Sequence, residues 1–149
     1  MFKAIASVLG IGYLKGGGTV AAAACCLALY LAPNQTLTTD PVLAGLLTAG
    51  LLGLGTWAAQ RVEPAWGKDS YRVVIDEVAG VWVGLLGVHL TGPRLLVGLL
   101  LFRFFDISKP LGIRSLEKLP GGYGVMLDDV LAGMYTLILM HLALWLRWL

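Results

Sequence analysis

The chain has 149 residues, about one domain's worth, of which 58% are hydrophobic before its 20 glycines are counted and only 13% are charged. A mean hydropathy of +0.80 excludes an ordinary soluble domain and points to an integral membrane protein. The net charge of +2, with no basic run interleaved with aromatics, excludes nucleic acid as a partner.

In chain order, Lys3 and the apolar run to Leu14 imitate a signal peptide, and "AAAAC" imitates a lipoprotein cleavage box. Lys15 and the glycines after it interrupt the run, so no cleavage is expected. "KGGGTV" (15–20) is a glycine-rich approach to a helix with Thr19 placed as its cap, equally suited to cradling an anion or to hinging a re-entrant segment. Apolar segments follow at about 19–32, 42–60, 76–92, 94–106 and 129–147. Breaks fall at "APNQTLTTDP", at "HLTGPR" and in a long 107–127 loop holding Pro110 and Pro120. The second, third and last segments reach the ~17–25 residues of a spanning helix; the first and fourth are expected to be tilted or partly interfacial. The expected fold is all-α: one domain over 1–149, a membrane bundle of about four to five transmembrane or partly embedded helices. Cys25 and Cys26, adjacent within alanine and leucine, are expected to be buried thiols. His89 and His141 are expected to pack or hydrogen-bond.

If the first segment starts inside, Lys3, Lys15, Arg61, Lys68, Arg72, Arg103, Lys109, Arg114 and Lys118 all lie on the inner side and only Arg94 and Arg147 outside. The positive-inside rule makes that side cytoplasmic. Most acids follow: Glu63, Asp69, Asp76, Glu77, Asp106, Asp128 and Asp129 fall at that end, Glu117 in the loop after the fourth segment, and Asp40 outside.

Three fragments, "VVIDEVAGVW" (73–82), "LFRFFDISKPLGIR" (101–114) and "VMLDDVLAG" (125–133), embed carboxylates in residues that otherwise read as membrane core. An ionised acid costs about 2.5–3.5 kcal/mol at a membrane helix centre, so five together need a compensating partner. Helix capping explains Asp76, Glu77, Asp128 and Asp129, read as starting inner-to-outer helices, but not Asp106, which closes a helix at its negative end. A shared cation explains all five. Gly80 follows Asp76 by four residues and Gly133 follows Asp129 by four, which lets helices carrying these acids approach closely. The donors are all hard oxygens, fitting Mg²⁺, or Mn²⁺, better than zinc. Arg103 lies one turn before Asp106; Lys109 shares its face if the helix continues that far, and Arg114 and Lys118 follow. Acids that hold a cation beside bases that hold oxygens suit a phosphoryl group. Lys118 reads as a plain positive-inside marker.

In this order, "LGIGYLKGGGTV", "GKDSYRVVIDEVAGVW", "LLFRFFDISKPLGIRSLEK" and "GGYGVMLDDVLAGMY" resemble the phosphatidylglycerophosphatase A family over nearly the whole chain. The resemblance implies a bacterial, multi-pass inner-membrane, magnesium-dependent hydrolase of phospholipid metabolism. Such an enzyme removes the terminal phosphate of phosphatidylglycerophosphate to give phosphatidylglycerol. Asp76, Glu77, Asp106, Lys109, Asp128 and Asp129 match family motif positions, as do Arg103, Asp69, Gly18 and Thr19. One departure is Gly17, where the family usually has proline. The expected site faces the cytoplasm. Asp76, Glu77, Asp106, Asp128 and Asp129 hold one or two Mg²⁺, and Lys109 joins them as a catalytic group. Gly18, Thr19, Asp69, Arg103 and Arg114 bind substrate, and water rather than an aspartate attacks phosphorus. The expected partners are the lipid substrate and the membrane, with no protein partner inferable. The rival reading is an ion-coupled transporter with the acids as its cation site. Such sites lie near the bilayer midplane, whereas these acids fall at one end of their helices. A headgroup transferase lacks its donor motif here, and a purely structural subunit leaves the acids unexplained.

Overall fold

The computed structural model describes residues 1–32, 35–110 and 112–149, and every regular element among them is helical. Short α1 (Phe2–Ala6) and a 3-10 turn (Ile11–Tyr13) lead into α2 (Gly17–Leu31). One-turn α3 (Thr36–Thr39) precedes α4 (Pro41–Trp66), which has 26 residues and a length of about 39 Å. Its start obeys capping chemistry: the Asp40 carboxylate accepts from the Leu43 N–H at 2.7 Å, and Pro41 takes the first helical position, where no N–H is needed. Then come α5 (Ile75–Gly84), α6 (Gly92–Ser108), one-turn α7 (Ile113–Leu116) and α8 (Gly122–Trp145).

Among the described residues two helices, α4 and α8, are long and apolar enough to cross a membrane. Side chains such as Leu27, Leu46, Leu54, Leu96, Leu100, Phe104 and Ile138 point outward from α2, α4, α6 and α8. Those exposed apolar faces suit lipid rather than water, and the protein is membrane-associated.

Three boundaries differ from the sequence expectation. The third segment does not run to residue 92 as a helix: α5 stops at Gly84 after 10 residues, and the apolar stretch beyond it folds back irregularly with Leu85, Val88 and Leu90 buried. Apolar composition reports burial, not helix, and here non-helical backbone is tolerated because its polar groups find partners. The Gln35 side chain donates to Leu90 O at 2.8 Å and accepts from Leu90 N at 2.5 Å, the Gly87 N–H donates to Thr38 O at 2.7 Å, and His141 Nε2 meets Leu86 O at 2.9 Å. The long 107–127 loop instead contains α7 and the first turns of α8. Consequently Asp128 and Asp129 do not start a helix; they lie well inside α8. Thr19 does not cap α2 either: Gly16, in the left-handed region, holds that position and Thr19 is already helical.

Helix α5 packs along α8 where glycines remove the side chains between them. A Cβ on Gly133 would strike the Gly80 carbonyl, and one on Gly80 would lie 2.6 Å from Asp129 O. The starts of α2 and α5, the end of α6 and the early turns of α8 therefore gather at one end of the bundle. Cys25 and Cys26 are both free thiols; Cys26 is buried as expected, whereas Cys25 is half-buried.

Candidate active site

Asp76 and Glu77 occupy the first turn of α5, where the helix dipole favours negative charge. The α5–α8 glycine contact brings Asp129 to them. Asp76, Glu77 and Asp129 each offer one carboxylate oxygen, and the three oxygens lie within 4.8 Å of one another. Asp129 and Asp76 are buried. Asp106, near the end of α6, sits close against Asp129, and its Oδ2 accepts a hydrogen bond from Arg103 Nη1 one turn earlier. The same Arg103 nitrogen lies 4.0 Å from Glu77 Oε1. Glu77 Oε2 and Arg103 Nε are buried without a hydrogen-bond partner.

Asp128 faces elsewhere. Successive helical residues point about 100° apart, so when Asp129 turns toward α5, Asp128 turns toward the segment after α6. There its Oδ2 accepts from Lys109 Nζ at 2.6 Å, and the same ammonium donates to Glu117 Oε1 at 2.5 Å. Lys109 does not share a face with Asp106: α6 ends at Ser108, and Lys109 caps it in the left-handed region at φ 44°. Burial pulls the Lys109 amine down, but its hydrogen bonds and attraction to Asp128 and Glu117 outweigh that and hold it above the ordinary lysine value.

A third component is a cleft of about 470 Å³ with Lys15, Gly16, Gly17, Gly18 and Thr19 on one wall and Glu77, Arg103 and Tyr71 on the other. Gly18 has a steric reason to be glycine, since a Cβ there would land on the Glu77 carboxylate. The glycine-rich stretch thus closes directly over the acid cluster.

Of the residues expected from sequence, the structure joins Asp76, Glu77, Asp129, Asp106, Arg103, Gly18 and Thr19 around one locus. It sets Asp128 and Lys109 beside it as a separate ion pair. Asp69 is exposed, in the left-handed region of the α4–α5 loop and near enough to Asp128 for its charge to act there; Arg114 is exposed on α7. Glu117 and Lys15 went unassigned in the sequence reading. Glu117 shares no element or period with Lys109; it reaches it from the C-terminal cap of α7.

These elements come from four separate stretches of chain, all inside residues 4–144, over which the sequence matches the phosphatidylglycerophosphatase A family. The chain belongs to that family. A Bacteroides thetaiotaomicron protein bearing the provisional name phosphatidylinositol-3-phosphatase is 45% identical over 134 residues, covering 86% of this chain and 81% of its own. Phosphatidylglycerophosphatase A of Haemophilus influenzae is 41% identical over 96 residues, 62% of this chain and 59% of that one. Phosphatidylglycerophosphatase A of Escherichia coli is 33% identical over 70 residues, 46% and 41% of the two chains. No solved structure matches the chain.

The acid cluster fits a divalent cation. Oxygens on opposite sides of one Mg²⁺ stand about 4 Å apart, close to the spread of the three carboxylates. Three acids packed together repel unless something positive joins them, and the unpartnered Glu77 Oε2 is an acceptor awaiting a donor or a metal.

Proposed function

We propose that the protein is a magnesium-dependent lipid phosphatase of a bacterial inner membrane. It hydrolyses the terminal phosphomonoester of phosphatidylglycerophosphate to phosphatidylglycerol and inorganic phosphate. In this reading α2, α4, α6 and α8 cross the bilayer, α5 is a half-helix within it, and the acid cluster faces the cytoplasm. The observation that carries the proposal is the grouping of Asp76, Glu77 and Asp129 oxygens within 4.8 Å beside Arg103.

Asp76, Glu77 and Asp129 hold the ion, with Asp106 orienting Arg103 at its edge. When bound, the divalent cation polarises the phosphoryl group and makes water a better nucleophile. Arg103 and Lys109 offset negative charge on the phosphoryl oxygens, a task carboxylates alone would oppose. The cleft under Gly16–Thr19, with Lys15 at its wall, receives the phosphodiester that joins headgroup to glycerolipid, while the acyl chains remain in the bilayer. Water adds to phosphorus, the ester P–O bond breaks, and the headgroup oxygen leaves with a proton. The relatives' names point to two lipids that share this chemistry, a phosphomonoester on a polyol headgroup.

The test is phosphate release by the purified protein in detergent, with and without Mg²⁺, from phosphatidylglycerophosphate and from phosphatidylinositol 3-phosphate, alongside Asp129→Asn. Metal-dependent release from the first lipid, lost in the variant, supports the proposal. Preference for the second lipid reassigns the headgroup. No release from either lipid by folded protein overturns the phosphatase reading in favour of ion-coupled transport.

A further inference from the structure

Lys109 is held in an unusual way for a residue that must meet a substrate. It is a non-glycine residue in the left-handed region, a conformation costing roughly 1–2 kcal/mol, at the point where the chain leaves α6. Its stem is long and flexible, so nothing in the lysine itself fixes where the ammonium points. Two carboxylates fix it. Asp128 reaches it from α8 at 2.6 Å, and Glu117 reaches it from the C-terminal cap of α7 at 2.5 Å. An ammonium has three N–H donors, so two are spoken for and one remains.

We infer that Glu117 is a positioning residue: together with Asp128 it aims the third N–H of Lys109 at the phosphoryl oxygens. The inference rests on the proposed phosphatase reading and extends it to a residue outside the acid cluster. Asp128 alone leaves the ammonium free to swing about a single contact. The second contact, from a different helix, defines a direction. Glu117 is part-exposed, with a side chain 37% accessible against 7% for Asp128. An exposed pair of this kind contributes little to stability, so its consequence lies in placement rather than in holding the fold together. A misplacement of about 1 Å at a reacting centre can cost roughly 100-fold in rate.

The experiment uses full-length Glu117→Gln, Glu117→Ala and Glu117→Asp in detergent with Mg²⁺. It reads kcat and KM on phosphatidylglycerophosphate, together with the thermal unfolding midpoint. Glu117→Ala and Glu117→Gln should lower kcat by roughly 10- to 100-fold, with KM within about twofold of the parent and the midpoint unmoved. Glu117→Asp, which keeps the charge on a shorter stem, should recover most of the loss. A parental kcat in Glu117→Ala overturns the inference. So does a loss of activity that tracks a falling midpoint in all three variants, because that is a structural brace. If the parent protein itself releases no phosphate, the phosphatase reading fails and takes the positioning role with it. An active parent with unaffected variants removes the positioning role alone.

Discussion

Asp128 and Asp129 are neighbours in sequence and partners of different groups. Asp129 turns inward to share a locus with Asp76 and Glu77, while Asp128 turns to the Lys109 ammonium. The helical step between them divides one acidic pair into a candidate metal ligand and a lysine anchor. The two asparagine substitutions should therefore fail differently. Asp129→Asn removes a ligand charge and should lower kcat by roughly 10³-fold at any Mg²⁺ concentration. Asp128→Asn leaves the three-oxygen group intact and should lower kcat by roughly 10-fold with its Mg²⁺ dependence unchanged. Initial rates across a Mg²⁺ titration check both, and identical profiles would contradict the division.

Gly133 stands where α8 touches α5, with no room for a methyl group before the Gly80 carbonyl. Gly133→Ala should push the helices apart, costing about 1–3 kcal/mol by overpacking. Separation also moves Asp129 away from Asp76 and Glu77, so activity should fall more than stability does. The thermal midpoint and kcat, measured on one preparation, test the pair of effects. By contrast Gly45→Ala, on a face of α4 where a Cβ meets nothing within 4 Å, should be silent in both.

Gly18 isolates the other wall of the site. Its added methyl in Gly18→Ala meets the Glu77 carboxylate, the end of a flexible side chain, not backbone. The carboxylate can swing aside, so the fold should tolerate the change with less than about 1 kcal/mol of destabilisation. Glu77 then leaves the three-oxygen group. The expected result is a raised Mg²⁺ requirement with a nearly parental unfolding midpoint, read from activity at limiting and saturating metal.

The sequence made Asp76, Glu77, Asp106 and Asp129 legible because a carboxylate inside an apolar run is costly unless it has a partner. The Gly80 and Gly133 spacing then foretold the close helix contact that joins two of them. Other features were hidden for physical reasons. "GGYGVML" reads as loop by propensity, yet after its first glycine, which caps α8, it is the first turns of that helix. A Cβ at Gly122 would meet the Thr56 carbonyl, so packing against α4 overrides the helix cost of glycine. The early end of α5 was invisible because buried irregular backbone is as apolar as helix. The Lys109–Glu117 contact depends on one left-handed residue, which no hydrophobic period encodes.

Gln35 offers a control at the opposite end of the bundle. Its amide satisfies both the N–H and the C=O of Leu90, in the buried stretch that follows α5. Gln35→Ala leaves two backbone groups without partners and should cost about 1–3 kcal/mol for each one that stays dry. The acid cluster lies at the other end of α5, so kcat at a temperature well below the midpoint should remain parental. A large fall in kcat with an unchanged midpoint would mean that the two ends are coupled.

Metal binding can be tested without any turnover. An ion held by Asp76, Glu77 and Asp129 binds the folded protein and not the unfolded chain, so it must raise stability, by about 2.7 kcal/mol when its concentration is 100 times its Kd. Titrating Mg²⁺ into metal-stripped protein in detergent should therefore raise the unfolding midpoint in a saturable way. Asp129→Asn lacks one ligand charge and should show little or no rise. It should also begin with a midpoint at or above that of the stripped parent, because an unmatched buried charge has been removed. The ordering of the two stripped proteins separates a cation site from an ordinary stabilising contact of Asp129: losing such a contact would lower the starting midpoint, whereas losing one of several mutually repelling acids would not.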